Sequence, residues 1–300
     1  MGDMLKNKVA VITGAGNGLG RAHALGMAAQ GARVVVNDLG TSFDGEGASR
    51  NAADQVVKTI KQAGGTAVAN YDSVATEEGA KNIIKTAMDS FGRLDILVNN
   101  AGIIRGGVIY EIPTEDWDAI IKTHLYGTFY CTRSATAIMK QQGYGRIINT
   151  SSHNGLGTQT LATYSAAKEG IVGFSRTVAR DMGKYGVTCN VIRPIAAWRG
   201  AKIKIEQFEV NRPEDVAALV VYLVSESADH INGCIFEVYN GHVGIYREPP
   251  PVEQVLWKDG QWTPEELAEV IPQTLTKGKS REAFPNSLPF VLNMEPPKKK

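Results

Sequence analysis

The chain has 300 residues, a net charge of +1 and 43% hydrophobic residues, enough apolar material for one large core or two small ones. Acidic and basic residues are interspersed, so charge gives no argument for nucleic acid or an anionic membrane as partner. No apolar run approaches a membrane span, the N-terminus MGDMLKNKVAV lacks the core of a signal peptide, and Cys131, Cys189 and Cys234 are far apart and read as free thiols.

Residues 8–13 (KVAVIT) form an apolar strand, followed at once by TGAGNGLG from Thr13 to Gly20. Gly14, Gly18 and Gly20, with Asn17 and Leu19 among them, open a helix carrying Ala22, Leu25 and Ala29 on its apolar side. Strand, glycine turn and helix N-terminus make a diphosphate site, because glycines let backbone amides approach the anion and the helix dipole favours it. A second strand, residues 33–37, ends at Asp38, twenty residues after Gly18. A carboxylate there accepts from both hydroxyls of an adenosine ribose and repels a 2′-phosphate, so the cofactor expected is NAD, not NADP.

Residues 49–63 read as a helix stopped by Gly64-Gly65, and 66–70 as a strand that leaves Asp72 and Ser73 beside the expected adenine. A helix capped by Thr76 leads to a strand at 94–98 ending in Asn99-Asn100-Ala101-Gly102. Small residues there let the chain pass under a cofactor ribose; a simple tight turn is the other reading. One long helical pattern covers 114–140, with His124 and Cys131 near its apolar stripe.

A strand at 146–150 then runs into Ser151-Ser152, a Gly-rich loop and a helix bearing Tyr164 and Lys168. Four residues apart, these side chains leave one helix face, so an ammonium can sit beside a phenol. A free tyrosine ionises near pH ~10, and a neighbouring cation moves it toward neutrality. Tyr164 is then an acid/base for a substrate hydroxyl held by Ser152 or Ser151. Such a pair also arises by chance, and Ser-Ser before a loop often only caps a turn.

A sixth strand at 188–192, an irregular stretch from Pro194, a helix from Pro213 and a seventh strand at 234–238 complete the alternation. The fold class is α/β: a doubly wound, seven-stranded parallel sheet (Rossmann fold) over residues 1–246. Residues 247–300 form an extension with a Pro249-Pro250-Pro251 linker, one helix from Thr263 to about Leu275 begun by a capping box, and a disordered basic end. Too poor in apolar residues for its own core, it is expected to pack on the main domain or across an oligomer contact. The final Lys298-Lys299-Lys300 is not a Ser-Lys-Leu address, and the location expected is cytoplasmic.

In their order, Thr13-Gly14-(x)3-Gly18-x-Gly20, Asn99-Asn100-Ala101-Gly102, a serine after the fifth strand and Tyr164-(x)3-Lys168 give a chain that resembles the short-chain dehydrogenase/reductase family over about residues 8–244. The resemblance implies hydride transfer between a nicotinamide and an alcohol or carbonyl carbon, in a homodimer or homotetramer. VVVNDLG, AVANYDSV and the acidic insertion 41–47 resemble more narrowly the (3R)-hydroxyacyl-CoA dehydrogenase domains of peroxisomal D-bifunctional (multifunctional) proteins, here without hydratase and sterol-carrier domains.

Carried over by position, Tyr164 is the general acid/base, Lys168 lowers its pKa and binds the nicotinamide ribose, and Asp38 selects NAD. The usual family spacing points to Ser151, but matching Gly155 favours Ser152 as the catalytic serine. His124 stands where the family has an asparagine that holds water behind the lysine, with core packing as an equal reading. Pro194-Ile195 replaces the usual Pro-Gly. The stretch 196–210 is expected to be a substrate lid, with Trp198 for an apolar pocket and Arg199, Lys202 and Lys204 for coenzyme A phosphates. No metal is expected. The substrate expected is a small secondary alcohol, a 3-hydroxyacyl-CoA thioester first and a hydroxysteroid or steroid side-chain CoA second. A non-catalytic nucleotide-binding protein is the third reading.

Overall fold

Successive residues of a strand face opposite sides of a sheet, and in the first strand both sides are apolar. The computed structural model describes residues 2–196, 212–247 and 252–277, and the chain divides into units Met1–Tyr246 and Arg247–Lys300. In the first unit β1 (Val9–Thr13), β2 (Arg33–Asn37), β3 (Thr66–Asn70), β4 (Ile96–Asn99), β5 (Gly145–Thr150), β6 (Val187–Pro194) and β7 (Ile235–Tyr239) lie parallel in the order β3-β2-β1-β4-β5-β6-β7. Connecting them are α1 (Gly18–Ala29), α2 (Asn51–Gln62), α3 (Glu77–Phe91), α4 (Thr114–Ile121), α5 (Gly127–Gln142), α6 (Ala162–Met182) and α7 (Pro213–Leu223).

Ala10, Ile12, Val34 and Val36 turn to one face of the sheet, where Met27 of α1 and Val220 of α7 cover them. Val9, Val11, Val35 and Leu97 turn to the other, against Ile83 of α3 and Met139 of α5. Each fully buried aliphatic side chain contributes roughly 1.5–3 kcal/mol. That exceeds the few tenths from helix propensity, so packing on the sheet holds the helices.

Two departures from the sequence pattern have local causes. The pattern at 114–140 is broken: a single π turn at Lys122–Tyr126 separates α4 from α5, and His124 sits in it, as π turns often do at sites. Beyond the seven parallel strands the chain adds an eighth, β8 (His242–Ile245), antiparallel to β7. Tyr239 pairs with His242 across a two-residue turn in which Asn240 (φ 37°) and Gly241 (φ 76°) are both left-handed. Asn-Gly is the dipeptide that such a turn prefers.

In the second unit α8 (Pro264–Val270) begins with a capping box: Glu266 N donates to Thr263 Oγ1 at 3.2 Å and Thr263 N to Glu266 Oε2 at 2.8 Å. The helix stops short of Leu275, giving way to a 3₁₀ turn at Ile271–Gln273, because Pro272 has no amide to continue the ladder. Among the described residues no helix is long and apolar enough to cross a membrane. Cys131 and Cys189 are buried free thiols, and burial pushes both up to about 12; Cys234 is free and half-buried.

His23 of α1 is fully buried with both ring nitrogens unpartnered among the described residues, and burial lowers its pKa from 6.5 to about 4. The unfolded chain therefore binds the proton first, and stability falls as pH drops from 6.5 to 4, with no further loss from this group below that. The loss is on the order of 3 kcal/mol. In thermal melts across this range His23→Leu should be less acid-sensitive than the parent; parallel melting curves would contradict the assignment.

Candidate active site

The chain moves outward from β1 to β3 and then returns to lay β4 on the other side of β1. Loops leaving the carboxyl ends of these two strands diverge, and a crevice opens between them. A cavity of about 510 Å³ lies there. It is lined by Gly14, Asn17, Gly18 and Leu19 after β1, by Asp38 after β2, and by Asp72 and Ser73 after β3. Asn100, Ala101 and Gly102 after β4 continue the wall, which ends at His124 and Tyr164. Gly20, Ser152 and Lys168 are not among its lining residues.

The glycine turn is shaped by close approach. A Cβ on Gly20 would come 2.1 Å from the carbonyl oxygen of Gly14, so Gly20 packs the turn instead of facing the cavity. Gly18, at φ +50°, faces open space. Asn17 makes no side-chain cap and the first turn of α1 has no acid, which leaves its amides for an external anion. The Asp38 carboxylate accepts from Gly16 N and Gly40 N, both at 2.7 Å, and is thereby aimed at the cavity's edge. Asp72 accepts from Asn70 Nδ2 at 2.8 Å and Asn82 Nδ2 at 3.4 Å, and each of its oxygens keeps a further lone pair. Ser73 Oγ accepts from Ala75 N at 3.2 Å and turns the chain toward α3.

One side chain pair joins the turn to β4. Thr13 Oγ1 accepts from the amides of Asn100 (3.0 Å) and Ala101 (3.1 Å), while Asn100 Nδ2 donates to the carbonyls of Thr13 (3.0 Å) and Gly14 (3.1 Å). Asn100 thus latches the walls of the cavity together. These backbone amides and the Asp38 carboxylate could hold a dinucleotide, diphosphate on α1 and adenosine ribose at Asp38.

At the far end two adjacent serines point apart. Ser151 Oγ donates to the carbonyl oxygen of Lys168 at 2.8 Å, buried away from the cavity. The Ser152 hydroxyl lies on the side of the Tyr164 phenol, where it favours the ionised form, and accepts from Asn154 N at 3.2 Å. Lys168 Nζ donates to Thr150 O at 2.7 Å and lies 5.4 Å from the Tyr164 ring centre. His124 meets Tyr164 edge to face at 5.3 Å. Its Nε2 lies 2.7 Å from Ile103 O and 3.1 Å from Ile103 N, and a Cβ on Gly102 would come 2.4 Å from its ring. The imidazole therefore holds the segment after β4 in place, and Nδ1 is buried without a partner among the described residues.

The family model for short chain dehydrogenases matches residues 8–207. The chain belongs to this family. Among members of the short-chain dehydrogenase/reductase family, it is 47% identical to a peroxisomal hydratase-dehydrogenase-epimerase of Neurospora crassa over 86% of this chain, and 46% identical to mouse peroxisomal multifunctional enzyme type 2 over 87%. It spans only 29% and 36% of those two proteins. A hydroxyacyl-CoA dehydrogenase of Mycobacterium tuberculosis is 38% identical, over 89% of this chain and 88% of its own. The crystal structure of a short-chain dehydrogenase from Mycobacterium avium superposes with a TM-score of 0.82 at 43% identity, covering 94% of this chain and 98% of that one. The chain is therefore an oxidoreductase acting on a CH–OH group, and the family uses a nicotinamide cofactor.

Electrostatics in this short-chain dehydrogenase run against the simplest expectation. Burial raises the Tyr164 phenol, only partly opposed by the Ser152 hydroxyl, and lowers Lys168 to about 7. Burial, with the Lys168 charge beside it, lowers His124 to about 3, so the imidazole is neutral. Desolvation dominates at both groups and favours the neutral phenol and the neutral amine.

Sequence reasoning missed Gly16, whose amide orients Asp38, although it stands inside the glycine motif. It also missed a cluster behind Ser152. His153 Nδ1 lies 3.1 Å from Tyr246 Oη and 3.4 Å from Glu237 Oε2, while buried Arg193 lies over the Tyr246 ring and donates to Glu169 Oε2 at 2.8 Å. No spacing in the sequence joins these residues. Trp198, Arg199, Lys202, Lys204 and nearly all of the stretch 196–210 lie outside the described residues. The two serines separate experimentally: Ser152→Ala should lower kcat by about a hundredfold or more. Ser151→Ala should cost about 1 kcal/mol of stability in denaturant titrations, with kcat within a few-fold of the parent.

Proposed function

We propose that the protein is an NAD-dependent dehydrogenase that reversibly oxidises a secondary alcohol to a ketone, with a 3-hydroxyacyl-CoA thioester as substrate. The observation that carries the reading is Tyr164, with Lys168 Nζ 5.4 Å from its ring, at one end of a cavity whose other end is the Asp38 carboxylate. Nicotinamide, when bound, supplies the hydride acceptor. Ser152 would donate to the substrate oxygen and orient it, and Tyr164 would take the hydroxyl proton as the carbonyl forms. Lys168, positioned by Thr150 O, would favour the phenolate during that transfer. His124 is a positioning group for residues 102–103 in this scheme, and Asp72 would accept from the adenine amine.

NAD is preferred to NADP because a 2′-phosphate would meet Asp38, and like-charge contact costs several kcal/mol. The thioester is favoured by the name of one relative above, a hydroxyacyl-CoA dehydrogenase. The proposal includes a homodimer or homotetramer, supported by the exposed Trp117 of α4 and Tyr126 of the π turn, and a cytoplasmic location.

The deciding assay is NADH formation from (3R)- and (3S)-hydroxyacyl-CoAs, with hydroxysteroids alongside. Turnover of one thioester enantiomer supports the reading, and turnover of steroids alone replaces the substrate. Tyr164→Phe should keep NADH affinity while kcat falls at least a hundredfold; unchanged turnover would sink the mechanism. Asp38→Asn should raise kcat/KM for NADP relative to NAD by tenfold or more, and an unaltered ratio would show that Asp38 does not read the ribose.

A further inference from the structure

The wall of the cavity contains a segment that the reaction scheme leaves unused. After Asp38 the chain does not enter α2 at once but makes a loop, closed at its base by Ser49 N donating to Leu39 O (3.0 Å) and at its tip by Ser42 N donating to Glu46 O (2.9 Å). The tip is bonded to the segment that follows β4. Ile104 N donates to Phe43 O at 3.0 Å, and Arg105 Nε donates to Asp44 O at 2.8 Å. The other two nitrogens of Arg105 donate to Glu46 Oε1 and to Asp116 Oδ1 at the start of α4, both at 2.9 Å. Gly45, at φ +96°, packs so closely that a Cβ there would come 3.2 Å from Ile103 Cδ1.

Topology gives these contacts their meaning. β2 and β4 are not neighbours; β1 lies between them and carries the glycine turn at its end. A loop from β2 that is bonded to the segment leaving β4 must therefore cross the end of β1. Phe43, Gly45, Ile104 and Arg105 line the same cavity as Gly18 and Asp38. A ligand extending from Asp38 to Tyr164 runs beneath that crossing.

We propose that residues 41–47, clasped by Arg105, form a strap over the dinucleotide site that retains the cofactor and has to unclasp for it to exchange. The proposal rests on the cofactor reading above. Arg105 is a positioning residue here, acting through the strap. A planar guanidinium suits the task, since it reaches three acceptors on two segments at fixed angles, which a lysine does not. The Asp116 arm is partly shielded, whereas the Glu46 arm ends in a carboxylate that is 75% exposed and open to screening by salt. Unclasping thus begins at Glu46.

The test is stopped-flow binding and displacement of NADH by the parent, Arg105→Gln and Glu46→Arg, the last altering only an exposed position. Both association and dissociation should accelerate, dissociation by about tenfold in Arg105→Gln and several-fold in Glu46→Arg, while KM for the alcohol stays put. In the parent, dissociation should quicken with ionic strength, and Glu46→Arg should flatten that dependence. Parent-like rates in both variants, with NADH still bound, would overturn the strap alone. A parent that binds no NADH would overturn the cofactor reading and the strap with it.

Discussion

A hydroxyl and an amide at the ends of β1 and β4 hold together two loops that their own directions would separate. Parallel neighbours that come from opposite halves of a doubly wound sheet share no short connection, so nothing covalent keeps the crevice between them at one width. Thr13 and Asn100 supply that constraint with four hydrogen bonds, and the glycine turn, the start of α1 and the segment 101–105 all take their positions from it. The absent side chain at Gly14 belongs to the same constraint, because a Cβ there would come 2.8 Å from Ala101 Cα. Binding geometry at one end of the cavity and acid/base geometry at the other are therefore tied through a single seam.

Packing at the reacting end sets the charge states. Tyr164, Lys168 and His124 are each driven toward their neutral forms by burial. Lys168 is held by a backbone carbonyl instead of a carboxylate, so its charge is not cancelled in advance. A site built this way keeps its electrostatic pull for charge that develops during reaction, where a low-dielectric surrounding makes it strongest. His124 contributes by packing: a neutral ring with one nitrogen on Ile103 fixes the backbone that follows β4.

Much of this was legible in the sequence because it is local. Strand–helix alternation follows from hydrophobic period and glycine stops, and Asp38, Tyr164 and Lys168 follow from spacing along single elements. What stayed hidden depends on neighbours remote in sequence. Ser151 and Ser152 are adjacent in a strand-like segment, so they must face opposite ways, and only the Lys168 carbonyl decides which faces inward. His124 lay on an apolar stripe, and its bonds to Ile103 depend on a π turn that no periodicity announces. Arg105 is one arginine in a loop whose acceptors come from the β2 loop and α4. The eighth strand is different: its signal, Asn240-Gly241, is local and is the dipeptide that a two-residue hairpin turn prefers.

That hairpin bears on where this fold may be cut. Tyr246, just after β8, returns to β7 and puts its phenol between Glu237 and His153, the residue next to Ser152. β8 is thus a brace for the turn that presents the serine, as well as a cover for the last parallel strand. A version of the enzyme trimmed back to β7 would retain every residue of the glycine turn and of the Ser152–Tyr164–Lys168 group, yet would leave His153 with Glu237 and without the Tyr246 phenol. The minimal catalytic unit is therefore longer than the minimal nucleotide-binding sheet, by one short antiparallel strand and the tyrosine that follows it.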